Sequence, residues 1–277
     1  EPPRLGHVPG HAEIVEITGL TSFAVTLAVA SLNVFAVLEI LPGNPAEVML
    51  GDTATPEALA ALEAKLGLDQ PAAVRYFAWV GGLLQGRSAT SYAYDTPTFE
   101  LIAERLQVSL PLALLAMALT VVVALAAGVY AAANHRQAGD TGVMVLAQIG
   151  LSLPNFWLAI LLILLFAVQL QWVSAGGFPG WREDDGGGLW PALSSLLLPA
   201  LSLAAVQAAI LARVTRSSVL EALREDYVRT ARAKGLSRRQ VLWRHVLRNA
   251  MVPVLTIMGL QFANLITGAI IVENVFV

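Results

Sequence analysis

Residues 106–133 and 143–170 are two runs of 28 residues, each without a single Asp, Glu, Lys or Arg. Three further apolar runs occupy 17–40, 190–212 and 251–272. A bilayer core is crossed by a helix of ~20 apolar residues. Both 28-residue runs exceed that length, so tilt or extension into water is expected of them. The chain is 56% hydrophobic and only 13% charged, with a mean hydropathy of +0.66. Soluble domains carry about a quarter charged residues. The expectation is an all-α membrane protein with five transmembrane helices. The absence of Cys excludes a disulfide framework and any thiolate metal site. No small-residue cleavage site follows the first run, so it reads as a retained span.

The polar stretches between the runs define the organisation. A tail covers 1–16, and the first span covers 17–41. A loop domain covers 42–105, and the transmembrane domain covers 106–277. Glu39 is costly in lipid and should sit at the interface or face protein. Pro42-Gly43-Asn44-Pro45 ends the first helix. Thr55 followed by Pro56 opens an amphipathic helix on which Leu59, Leu62 and Leu66 recur at helical spacing. Pro154 and Asn155 interrupt the third run, either as a packed kink or as a lining of a transport path. Gln207 in the fourth run, and Gln261 and Asn264 in the fifth, carry the same two readings: hydrogen bonds between helices, or path lining. Gln261 and Asn264, three apart, share a helix face. Trp172, Trp181 and Trp190 fit an interfacial aromatic belt. The acidic run at Glu183, Asp184 and Asp185 reads as a solvated loop.

Ten of the seventeen Lys and Arg residues fall between Arg213 and Asn249. This polar segment, 213–250, carries helix, turn and helix signals. Ser218 with Glu221, and Ser237 with Gln240, read as capping boxes. Gly235 suits a left-handed C-cap, with Lys234 at the negative end of the helix before it. With five spans, twelve basic residues lie on the side of this elbow and five on the other, namely Lys65, Arg75, Arg87, Arg105 and Arg182. The excess places the elbow in the cytoplasm and the 42–105 loop outside.

The run Asp226, Tyr227, Val228, Arg229, Thr230, Ala231, Arg232, Ala233, Lys234, Gly235, Leu236, followed by His245-Val246-Leu247-Arg248-Asn249-Ala250 and Pro253, closely resembles the cytoplasmic coupling loop of bacterial ABC-importer permeases. Within that superfamily it looks like the dipeptide/oligopeptide/nickel branch. The superfamily pattern is Glu-Ala-Ala, three residues, then Gly. Here Arg229-Thr230-Ala231 stand in the first three places, and Arg248 stands where many relatives have Pro; both departures are typical of the peptide branch. Pro42-Gly43-Asn44-Pro45 resembles the family's Pro-Gly-Asp-Pro, with Asn44 for Asp. The resemblance covers roughly 41–277.

The resemblance implies a polytopic type I permease fold with a cytoplasmic coupling helix and an external N-terminal loop domain. A Pro-Gly turn and a sixth span are expected after Val277 and are absent from this chain. It implies that 226–236 dock into a groove on an ATPase subunit. The implied partners are a second permease subunit forming a heterodimer, two ATPase subunits, a periplasmic or lipid-anchored binding protein, and membrane lipid, with no nucleic acid. Asn155, Gln207, Gln261 and Asn264 are the candidates for the translocation path. The implied substrates are di- and oligopeptides, with nickel, glutathione or opines as alternatives within the branch.

The chain holds no Gly-Lys pair, hence no phosphate-binding loop, and no His-Glu-x-x-His or Gly-x-Ser-x-Gly. No cofactor, metal or catalytic residue is expected on it; ATP and Mg would sit on the partner ATPases. Two other classes compete. A secondary transporter or channel would need repeats or intramembrane charges, and the second to fifth runs have no charge. A lipid-surface or nucleic-acid binder would use the basic elbow, but it leaves the paired caps around a glycine unexplained.

Overall fold

The computed structural model describes residues 11–41, 43–51, 55–88, 90–91, 94, 96–174 and 176–276. Among these the regular structure is helical, with one isolated antiparallel bridge between Thr90 and Pro97. The fold is therefore all-α, as the apolar runs require. Two compact units divide between Ile102 and Ala103.

In the first unit, α1 spans His11–Ile40. Residues 11–16, expected in the tail, are thus its first turns; 1–10 fall outside the described residues. α1 stops before Gly43, and Asn44 caps α2 (Pro45–Leu50), its Oδ1 accepting from the Ala46 N–H at 3.0 Å. α3 (Pro56–Leu66) starts as expected, with Thr55 Oγ1 accepting from the Ala58 N–H at 3.2 Å. α4 (Ala72–Leu84) packs along the last turns of α1. There the Ser31 and Tyr76 hydroxyls are 2.9 Å apart, and the Phe35 and Tyr76 rings meet edge-on at 5.4 Å. One turn further, Glu39 pairs with Arg75, so the carboxylate does face protein.

The second unit is built on α5 (Thr98–Ala133), α6 (Ala138–Ser152), α7 (Asn155–Leu162), α8 (Leu189–Ala222), α9 (Asp226–Ala233), α10 (Arg238–Gln240) and α11 (Leu247–Phe276). Wider π-type turns extend α7 through Ile163–Gln169 and join α10 to α11 through Val241–Val246. α8 is the most enclosed long helix and packs on α6, α7 and α11. Leu112 of α5, Leu196 and Leu203 of α8, and Leu265 of α11 fill the main core. Among the described residues four helices are long and apolar enough to cross a membrane, and a fifth crossing counts only if α6 and the α7 segment are taken together.

That pair corrects the third expected span. Residues 143–170 are not one rod: the helices on either side of Leu153 and Pro154 are bent by 100°. Pro154 lacks a backbone N–H and pushes Leu153 out of the α region, and Leu153 is extended at φ −95°, ψ 127°.

One further expectation is corrected. Ser218 does not cap a helix. α8 continues unbroken past 212 to Ala222, and Ser218 is buried within it beside Thr215, Val219 and Ala222. Burial of that face keeps the helix going. Of the three expected belt residues, Trp172 and Trp190 are 70% and 80% exposed, whereas Trp181 is half-buried. Its indole N–H donates to the Gln107 carbonyl at 2.8 Å and its ring packs on Phe178, pinning the 171–188 loop to α5. Gly187 closes that loop, because a Cβ there would fall 2.2 Å from the Gly180 carbonyl oxygen.

Candidate functional site

α8 ends at Ala222, and a short turn leads into α9. α9 is an eight-residue helix with two unlike faces. Val228 and Ala231, three apart, are buried in a small core with Val219 and Ala222 of α8, Val241 and Val246 of the π turn, Ala250 of α11 and Ala132 of α5. Arg229, Thr230, Arg232, Ala233 and Lys234 are exposed. Asp226 lies in the first turn and Arg232 in the last, each favoured by the helix dipole.

The helix is closed by a Schellman motif. Gly235 sits at φ +83°. Its N–H donates to the Arg232 carbonyl at 2.9 Å, and the Leu236 N–H donates to the Ala231 carbonyl at 3.3 Å. Leu236 folds back on the same core. Ser237 then opens α10 as expected: its hydroxyl accepts from the Gln240 N–H at 3.3 Å, and its own N–H donates to Gln240 Oε1 at 3.0 Å. The Tyr227 hydroxyl is buried without a hydrogen-bond partner among the described residues.

Beside this elbow lies a cluster that sequence reading passed over. Arg216 of α8 donates from Nε to Asp140 Oδ1 at 2.5 Å and from Nη2 to Oδ2 at 2.7 Å. The Arg136 N–H adds a bond to Oδ2 at 3.0 Å, and Arg136 itself takes φ +63°. His135 Nδ1 is 3.1 Å from Arg216 Nη2 and 3.2 Å from Asp140 Oδ2. It accepts from the arginine when bare and donates to the carboxylate when it carries a proton. The cluster fixes the α5–α6 connection to α8. One helical turn inward, Gly128 of α5 lets the backbones close up: a Cβ there would be 2.7 Å from both the Ala212 carbonyl oxygen and Thr215 Cβ.

The four path candidates fall in three settings. Gln261 of α11 and Gln207 of α8 are brought together, with Gln261 Nε2 donating to the Gln207 carbonyl at 3.0 Å. Both are buried, and the side-chain oxygen of each has no partner among the described residues. Asn264 is exposed although it is three residues from Gln261, so the two do not present one common surface. Asn155 is half-buried at the start of α7, at the 100° bend.

Among the described residues of the elbow no nucleophile stands beside a base. The elbow presents an exposed cationic helix face whose back is part of the core holding the ends of α5, α8 and α11. Comparison with known proteins shows the family. Residues 124–277 match the family described as binding-protein-dependent transport system inner membrane component, and residues 16–123 match the N-terminal region of the membrane component of such systems. The chain belongs to this family. It is a multi-pass inner-membrane permease of the ABC-importer class.

Among relatives of this permease, a permease protein assigned to a peptide transport system in Brucella abortus (strain 2308) is 44% identical over 252 residues, covering 91% of this chain and 79% of the relative. The glutathione transport system permease protein of Salmonella choleraesuis is 40% identical over 251 residues, covering 91% and 78%. The dipeptide transport system permease protein of Alkalihalophilus pseudofirmus is 37% identical over 258 residues, covering 87% and 78%.

Proposed function

We propose that this permease forms half of a path for di- and oligopeptides, is driven by two separate ATPase subunits that grip α9, and receives substrate from a binding protein. A second permease subunit of similar fold completes the path as a heterodimer. The observation that carries the reading is the division of α9 into a cationic face, centred on Arg229 and Arg232, and a buried face, Val228 and Ala231. A motor shifts a permease only if its contact differs between the two states. A helix held by three others is a suitable place for that contact. The excess of basic residues around the elbow supports its cytoplasmic orientation. A glutathione importer is the second reading, favoured by the 40% identical glutathione permease; glutathione is itself a tripeptide.

The chain has no Cys, so one introduced thiol is free of background. With Arg229→Cys in the assembled transporter, a bifunctional crosslinker should capture an ATPase subunit. Recovery of the permease alone from several such positions along α9 would overturn the docking role. Uptake of labelled dialanine against labelled glutathione, in cells whose other carriers are deleted, decides between the substrates.

A further inference from the structure

We infer that the first unit holds the headgroup of an anionic phospholipid in a groove at the carboxyl end of α1. The groove, of about 800 Å³, runs between α1, the α3–α4 turn and the far end of α4. One wall is Val34, Phe35 and Leu38 of α1, with Trp79 of α4 beside them. The other side carries Lys65, Arg75 and Arg87, and no carboxylate lines the groove among the described residues. Glu39 compensates Arg75 from outside it, so two cations, Lys65 and Arg87, are left without a carboxylate partner in the groove. Arg75 Nε is buried with no hydrogen-bond partner among the described residues.

The shape and the charge select one ligand class. Val34, Phe35 and Leu38 belong to the last two turns of a helix long and apolar enough to cross a membrane. The groove therefore sits where hydrocarbon gives way to headgroups, a level that Trp also favours. An acyl chain lies along the α1 wall, and the phosphate lies among the guanidinium and ammonium groups, which bind it by charge-assisted hydrogen bonds. α4 adds exposed apolar side chains, Val74, Phe77 and Leu84, suited to the same layer. A peptide carboxylate would satisfy the cations but leave the apolar wall of a membrane-crossing helix uncovered.

The test uses the full chain in phosphatidylcholine nanodiscs doped with phosphatidylglycerol. Native mass spectrometry of the released protein should find one retained phosphatidylglycerol in preference to phosphatidylcholine. Lys65→Gln with Arg87→Gln, both at exposed positions that leave the packing intact, should lower that retention about 30-fold, as expected for losing two cations near an anionic headgroup. Equal retention of the two lipids, or unchanged retention in the double variant, overturns the inference. So does displacement of the lipid by millimolar dialanine, which would make the groove a peptide site.

Discussion

Arg216 of α8 grips both carboxylate oxygens of Asp140 of α6, from Nε at 2.5 Å and from Nη2 at 2.7 Å. Asp140 is buried and receives a third bond from the Arg136 N–H. Asp140→Ala removes one partner and leaves the arginine without its counter-charge. Because Arg216 keeps some contact with solvent, the expected loss of stability is about 2–4 kcal/mol, toward the lower part of the range for broken buried pairs. Thermal unfolding in detergent measures it. Arg216→Lys should recover only part of the loss, since an ammonium cannot reproduce the two-pronged grip.

Gly128 and Gly259 lie in long helices but differ in surroundings. A Cβ at Gly128 strikes the Ala212 carbonyl and Thr215, whereas one at Gly259 meets nothing within 4 Å among the described residues. Gly128→Ala is expected to force α5 from α8 and destabilise by about 1–3 kcal/mol. Gly259→Ala, inside α11 with room for the methyl, should be neutral or stabilising by up to about 1 kcal/mol. Comparing the two melting temperatures checks the close crossing directly.

Gly235→Leu places a branched side chain at φ +83°, which costs about 1–2 kcal/mol. Among the described residues nothing lies within 4 Å of a Cβ at this position, so the effect is conformational rather than steric. Membrane insertion should be normal and substrate uptake lost, because the Schellman turn that aims α9 is deformed. Gly235→Asn, which tolerates this conformation better, should retain most of the uptake. Insertion by protease protection and uptake by labelled substrate are the two readings needed.

Tyr227→Phe removes a buried hydroxyl that lacks a partner among the described residues. An unsatisfied buried polar group is a cost, so its removal should be neutral or stabilising, by up to about 1–3 kcal/mol. A clear loss of stability would mean that the hydroxyl is bonded in the folded protein.

The sequence and the structure agree most closely where the signal is local. Ser237 with Gln240, Thr55 before Pro56, and Gly235 after Lys234 act within one turn of themselves, and all three form the caps their spacing implies. Ser218 with Glu221 has the same spacing but lies inside α8, because i and i+3 also recur within a helix. Only the burial of Thr215, Ser218, Val219 and Ala222 against neighbours decides between the two. The break at Pro154 was visible, but its 100° angle depends on how α6 and α7 pack on α8. Asp140 and Arg216 are 76 positions apart, and nothing near either residue announces the other. Gln261 and Asn264 show the limit of spacing arguments: three residues turn a helix through 300°, enough to bury one side chain and expose the other.

α8 is 34 residues long, or about 50 Å, against a hydrocarbon layer of about 30 Å. The Gln261 bond meets it at Gln207, near the middle, leaving arms of about 22 Å toward α9 and about 27 Å toward Leu189. Both prolines of α8, Pro191 and Pro199, lie on the longer arm, and the shorter one contains neither proline nor glycine. The arm toward α9 is the stiffer of the two. Whatever displaces the α9 end of this helix is therefore carried as one rigid piece as far as Gln207, while the outer arm has a point, at Pro199, at which its backbone ladder is broken.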